Sequence, residues 1–313
     1  MYSNIEELHL ESFNNSKLKK LINAYTINTT QGNTPGLGDY LRGCLCFSQV
    51  AELLNLEFDM DISSHPISKF IKDSNGNDGL DYNNIDRYID LNYNENHYLL
   101  TFHYNYGKSD LNINHNFWEN LINWLNSKDC ETFMFHSNAF PSYFIYKQNH
   151  IDFINSKIEP NDLMKKCIEV TLQNLRLTKK NYNVIHIRGG DNYLVRKKHP
   201  NKKFLEMLRD KIEQQMIPNY PYLLIADSNY LKFYLKKMIP NTFICKNEIG
   251  HLGGEFNHHT NNEKVKNSLL DYYLMSFGNS IISFTTNGHI SGFSKICGIL
   301  NNIPFESFKI DDI

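Results

Sequence analysis

The chain has 313 residues, enough for two domains that each bury a core, and its 41% hydrophobic and 13% aromatic content marks a folded globular protein rather than a disordered one. A formal net charge of −2 supplies no electrostatic basis for non-specific binding to nucleic acid or to an anionic membrane, so neither is expected as a partner. No apolar run approaches the ~20 residues of a membrane span and no charged-then-apolar leader follows Met1, which predicts a soluble, cytoplasmic protein.

In chain order, residues 39 to 54 carry apolar positions at helical spacing (Leu41, Leu45, Val50, Leu53, Leu54), directly after a Gly-Leu-Gly turn at 36 to 38. The alternation Leu56, Phe58, Met60, Ile62 then predicts a strand. Residues 73 to 95, rich in Asn, Asp and Gly, read as a long surface loop. Strands at 97 to 103 and 132 to 136 flank a helix over 116 to 125.

From Asn161 the alternation is cleaner. Helices are predicted to 176 and over 202 to 216, 229 to 238, 262 to 277 and 291 to 300. Strands are predicted at 183 to 188, 222 to 227, 242 to 246, 280 to 285 and 303 to 310. Strands alternating with helices imply parallel sheets with right-handed crossovers, which bind ligands at the carboxyl ends of their strands. The Ser, Pro and Asn residues of 156 to 162 place a domain boundary near 158, giving domains of 1–158 and 159–313 with a cleft between them.

The chemistry is expected where residues 184 to 191, Val-Ile-His-Ile-Arg-Gly-Gly-Asp, end a strand. Arg188 beside the N–H groups of Gly189 and Gly190 is a combination that holds a diphosphate; the plainer reading is a strand-end turn whose Arg188 and Asp191 pair with each other. Asp227 ends the next strand, where it either accepts a bond from a ribose hydroxyl or base N–H or serves a helix terminus, and Ser228 caps the helix that follows. Asp271 lies beside the apolar stripe Leu269, Leu270, Tyr273, Leu274 and Phe277, and taken alone reads as a solvated residue on a helix flank. In Thr285 to Ser294 the hydroxyls of Thr285, Thr286, Ser291 and Ser294 suit phosphate oxygens at a helix start, with Ser291 also placed to cap it. The loop holding His251, Glu255, His258 and His259 invites a metal reading, but Gly253 and Gly254 oppose the helix that would align the ligands; a flexible lid is the better expectation.

Six dispersed cysteines, of which only Cys44 and Cys46 are close, match neither a zinc knuckle nor a redox pair, so free thiols are expected. The absence of Gly-x-Gly-x-x-Gly after the first strand of either half argues against a dinucleotide-dependent oxidoreductase.

Assembled, these patches resemble the superfamily of α1,2-, α1,6- and protein-O-fucosyltransferases, which have the two-domain GT-B fold. Pro35 to Arg42, with Gly36, Gly38 and Asp39, is similar to the family's N-terminal glycine motif; His186 to Asp191 resembles its His-x-Arg-Arg-Gly-Asp signature; Asp271 to Ser276 with Ser291 to Ser294 is similar to its third motif. The resemblance implies two Rossmann-like domains, the second binding a GDP-sugar, with GDP-fucose the implied donor, and the first admitting a glycan or protein hydroxyl acceptor over variable loops such as 73 to 95 and 141 to 160. It assigns Arg188 to the β-phosphate, His186 and Asp191 to the nucleotide pocket, Asp271 to the base, and Ser291, Gly292 and Phe293 to phosphate and base contacts.

It also implies inverting transfer without a metal or other cofactor, with Asp39 the first candidate base and Asp191 the second; the plainer reading of Asp39 is a cap on the helix that starts beside it. The chain departs from the pattern in three places. Gly189 stands where the family has a second arginine, residues 192 to 198 lack its downstream acid, and residues 287 to 289 form a short insertion. The first two departures favour the competing hypothesis, a nucleotide-sugar-binding or scaffolding protein that has lost catalysis.

Overall fold

The computed structural model describes residues 12–25, 36–63, 65–72, 86–87, 121–135, 147–190, 200–250, 252, 261–286 and 290–310. The expected strand at 97 to 103, nearly all of the 73 to 95 loop, the histidines of the 250 to 260 loop and Asp191 lie outside the described residues. The chain forms two compact units, Met1–Glu159 and Pro160–Leu252 with Phe256–Ile313.

The first unit holds a sheet of β1 (Lys20–Ala24), β2 (Glu57–Asp61), β3 (Asp86–Arg87) and β4 (Thr132–Phe135), in the order β2-β1-β4-β3 and with every pairing parallel. β1 is central, and its sequence, Lys-Leu-Ile-Asn-Ala, is too short and too polar at Lys20 and Asn23 to announce itself. It is a strand because parallel partners on both sides take up its backbone groups and bury Leu21 and Ile22 completely. Helix α1 (Leu37–Leu53) is buried over most of its circumference, which explains its apolar character beyond a single stripe. Helix α2 (Gln148–Lys157) occupies part of the segment expected to be loop; it buries His150, Ile151 and Ile154. Glu52 of α1 holds it from the other side, bonding Lys147 Nζ at 2.9 Å and His150 Nε2 at 2.7 Å.

The second unit is a five-stranded parallel sheet: β5 (Asn183–Arg188), β6 (Tyr222–Ala226), β7 (Thr242–Phe243), β8 (Ile281–Thr285) and β9 (Phe305–Lys309), in the order β7-β6-β5-β8-β9. This is the doubly wound order, whose direction of winding reverses at the first strand, β5. Its interior strands are buried because helices cover both faces: all five residues of β6, an unbroken apolar run, and all five of β8 are buried, while the edge strand β9 is not. Helices α3 (Asp162–Leu175), α4 (Lys202–Gln215), α5 (Asn229–Met238), α6 (Asn262–Ser276) and α7 (Gly292–Leu300) complete the unit. Four of them start on a side-chain cap: Asn161, Asn201, Ser228 and Asn261 each accept a bond from a backbone N–H three residues on. A core of Ile185, Ile187, Leu208, Leu224, Leu235 and Phe284 among others lies between α4, α5 and the sheet. β7 is shorter than the predicted 242 to 246, since only Thr242 and Phe243 pair with β6.

Among the described residues, no helix is long and apolar enough to cross a membrane. All six cysteines are free thiols, and five are buried.

Candidate functional site

Parallel sheets of this order open a crevice at the carboxyl ends of the strands where the winding reverses. Here that place is the end of β5, flanked by β6 and β8. Arg188 is the last residue of β5, in register with Thr285, the last of β8. Its side chain is 26% exposed at the end of an otherwise buried strand.

Asp227, immediately past β6, organises the turn. Its carboxylate accepts the Gly189 N–H at 3.0 Å and the Gly190 N–H at 2.8 Å, and it meets Arg188 Nη1 at 3.4 Å. The turn takes this shape because Gly190 adopts φ 85°, a left-handed value that a side chain disfavours. The two amides expected to cradle a diphosphate therefore donate to Asp227 instead, and Asp227 serves the turn rather than a ribose or a helix terminus. The physical reason is proximity: β6 pairs with β5 in parallel, so its next residue lies beside the turn. Burial pushes the Asp227 carboxyl above the usual aspartate range, while the Arg188 charge and the two amides pull it back toward the ionised form. At 3.4 Å the contact with Arg188 is looser than a charge-assisted hydrogen bond, so Asp227 orients the guanidinium without the close grip of a structural ion pair.

Behind Arg188 runs a second chain of contacts. Ser294 Oγ donates to Ser283 Oγ at 3.2 Å, and Ser283 Oγ lies 3.4 Å from Nδ1 of His186. His186 is 5% exposed, and burial, with the Arg188 charge adding to it, drops its pKa to about 3. The imidazole is neutral, with Nδ1 facing the Ser283 hydroxyl. Ser283 was invisible to motif reading. Its one signal was a hydroxyl inside the apolar run Ile-Ile-Ser-Phe, at the position paired with His186.

The hydroxyl-rich turn divides. Ser294 is fully buried and its O–H is engaged with Ser283, and Thr286 Oγ1 donates to the Gly189 carbonyl at 2.9 Å, so neither offers its proton to a phosphate. Thr285 is buried at 3% exposure in the sheet. Ser291 occupies the N-cap position of α7 but makes no side-chain cap bond, against the expectation that it caps the helix. Gly292 opens α7, and the Phe293 ring lies 5.9 Å from His186 and 5.7 Å from Tyr272. The N-terminus of α7 thus brings Ser291, Gly292 and Phe293 to the His186 side of the site. Ser228 does cap α5, accepting from Leu231 N at 3.4 Å.

Asp271 precedes Tyr272 on α6. It is 4% exposed, not solvated, because α6 packs on α3 and α7 and is buried on nearly every side along its second half. Burial raises its carboxyl above the ordinary aspartate value, and Lys232 pulls in the opposite direction.

In the first unit, Gly36 is the N-cap of α1 with no side-chain cap, and Gly38 is buried in the first turn. Asp39 shares that turn, where the helix dipole favours an acid, and pairs with Arg42 Nη2 at 2.9 Å; it does not cap the helix. Sequence reading also missed a stack next to α1. Tyr25 lies between Tyr40 at 4.3 Å and His65 at 3.8 Å, and Tyr40 donates to the Asn23 carbonyl at 2.9 Å.

Among solved structures the chain is similar to the alpha-1,6-fucosyltransferase NodZ soaked with GDP-fucose, at 12% identity and a TM-score of 0.52 over 93% of this chain and 95% of that one. The fold is fucosyltransferase-like. NodZ co-crystallised with GDP gives 11% identity and a TM-score of 0.52, covering 94% and 96% of the two chains. NodZ from Bradyrhizobium gives 11% and 0.50, covering 91% and 94%. No family model matches the chain, and no curated protein matches it in sequence. At these identities the likeness is one of architecture, so the fucosyltransferase-like fold places the strand ends and leaves the chemistry to be argued from the residues.

Proposed function

We propose that this chain is a glycosyltransferase that takes fucose from GDP-fucose and passes it, with inversion and without a metal, to a hydroxyl of a glycan or protein. The observation that carries the reading is Arg188, a partly exposed guanidinium at the carboxyl end of β5, where a sheet of this winding receives its ligand. In such a transfer the anomeric carbon–oxygen bond to the diphosphate breaks as the acceptor oxygen bonds to that carbon. The acceptor's proton leaves to a base, and negative charge gathers on the β-phosphate. Arg188 is proposed to meet that charge, with the N-terminus of α7 and the Ser291 hydroxyl as its partners. This replaces the expected diphosphate cradle of Gly189 and Gly190, whose amides are taken by Asp227. His186 and Phe293 are proposed to border the nucleotide, Asp271 to read guanine, and Asp39 or Asp191 to take the acceptor's proton.

One observation favours the inert alternative, a protein that binds nucleotide-sugar without turnover: Gly189 supplies no second guanidinium, and the amides beside it are occupied. Calorimetric titration with GDP, UDP and ADP, with and without EDTA, together with a GDP-fucose hydrolysis and transfer assay, decides between them. Tight binding of GDP alone with release of fucose is expected. GDP binding without turnover supports the inert protein, and failure to bind any of the three removes the nucleotide site.

A further inference from the structure

Ser283 is the middle residue of β8, completely buried in the run Ile-Ile-Ser-Phe-Thr. β8 is paired on both sides, by β5 and by β9, so the backbone groups around Ser283 are taken up by the sheet, and an apolar residue would fill the place without the desolvation cost of a hydroxyl. The hydroxyl instead meets two side chains. Ser294 Oγ donates to it at 3.2 Å, and it lies 3.4 Å from Nδ1 of His186, the residue beside it in register on β5.

These contacts join two parts of the site. Ser294 is the third residue of α7, completely buried in the turn that follows Ser291. His186 stands two residues before Arg188, hence on the same face of β5. Ser294, Ser283 and His186 therefore run in sequence from the head of α7 to the strand that ends in the guanidinium. Among the described residues the hydrogen bond of the imidazole is at Nδ1, and Nε2 has no partner.

A hydroxyl has one proton to give and lone pairs that accept. Since the Ser283 oxygen accepts from Ser294, its own proton is left for another group, and the unprotonated nitrogen of a neutral imidazole is the acceptor within reach. Such a bond places the ring's proton on the opposite nitrogen. We propose that Ser283 is a positioning residue of the donor site: it donates to Nδ1 of His186 and fixes the ring and its tautomer, so that Nε2–H is presented to an acceptor atom of the nucleotide. Ser294 holds Ser283 in this orientation and so ties the imidazole to the head of α7. This role rests on the nucleotide reading above and adds to it two hydroxyls that need touch no ligand.

The test reads the ring first and then its use. In two-bond proton–nitrogen correlation spectra of the full chain with isotope-labelled histidine, the signal lost in His186→Gln is expected to show a protonated Nε2 and a bare Nδ1 near neutral pH. A protonated Nδ1 overturns the assignment. In calorimetry Ser283→Ala is expected to weaken GDP about 3- to 10-fold, the size of one hydrogen bond, and to have no further effect in a His186→Gln background. A hydroxyl that only steadied the fold would add its loss in either background. Unchanged GDP affinity in Ser283→Ala, or additive losses, ends the positioning role while nucleotide binding stands. Ser283→Cys keeps the shape with a much weaker donor and takes the place of Ser283→Ala should that variant not fold. If the wild-type chain binds no guanine nucleotide, the nucleotide reading and the positioning role fall together.

Discussion

Arg188 and Asp227 set a contest between two uses of the same donors. If the Gly189 and Gly190 amides served the diphosphate, Asp227 would be a competitor for them, and neutralising it would strengthen GDP binding. If Asp227 shapes the turn and aims Arg188, neutralising it should do the reverse. Asp227→Asn keeps one acceptor and turns an NH2 toward the other amide, so it is expected to lower stability by about 1–3 kcal/mol in urea unfolding. It should also weaken GDP several-fold in calorimetry; a gain in affinity would return the amides to the ligand. Arg188→Ala should reduce transfer by about 10²-fold with the fold intact by circular dichroism, the loss usual for a charge-stabilising donor. That Arg188 ends a strand was legible in sequence, because a β-branched run leads up to it and two glycines follow. That Asp227 would be its neighbour was not, because β5 and β6 lie 39 residues apart in the chain at these positions and only sheet pairing joins them.

Helix starts separate two roles that look alike in sequence. Asn201 accepts the Phe204 N–H at 2.8 Å, so Asn201→Ala should cost about 1 kcal/mol in chemical denaturation and leave GDP binding alone. Ser291 has the same position at the head of α7 without a cap bond. Ser291→Ala is therefore expected to leave the unfolding midpoint within error and to weaken GDP several-fold; a stability loss equal to that of Asn201→Ala would make Ser291 a cap and nothing more. Elements with a strong period and a cap, α4, α5 and α6, were predicted to within a residue or two at each end. β1 was missed and β7 overextended for one reason. A short strand's existence depends on neighbours that offer bonds, and periodicity in five residues does not report them.

At the scale of the second unit, buried ionisable groups link folding to pH. His186 has an ordinary value of 6.5 and a folded value of about 3. Between those two the unfolded chain takes up a proton that the folded one refuses. The stability this group contributes is thus whole above 6.5 and declines as pH falls toward 3, by up to about 1.4 kcal/mol per unit. Asp227 and Asp271 act in the opposite sense, since carboxyls raised by burial bind a proton more readily in the folded state as pH falls toward the ordinary aspartate value. Comparison of wild type with His186→Asn isolates the histidine: the stability difference measured at pH 7 should narrow steadily toward pH 4. A constant gap across that range would mean that His186 is charged when folded or that solvent reaches it.

The sequence by itself determined the α/β class, the parallel alternation of the second half, the cap Ser228, and the position of Arg188 at a strand end, because each is set by residues within a turn or two of one another. Only the tertiary structure decided the strand order β7-β6-β5-β8-β9, the capture of the Gly189 and Gly190 amides by Asp227, the Ser294–Ser283–His186 chain and the burial of Asp271 and Lys232. Those depend on which strand ends become neighbours and which helix flanks are covered, and local pattern carries no information on either until the sheet has closed its pairings.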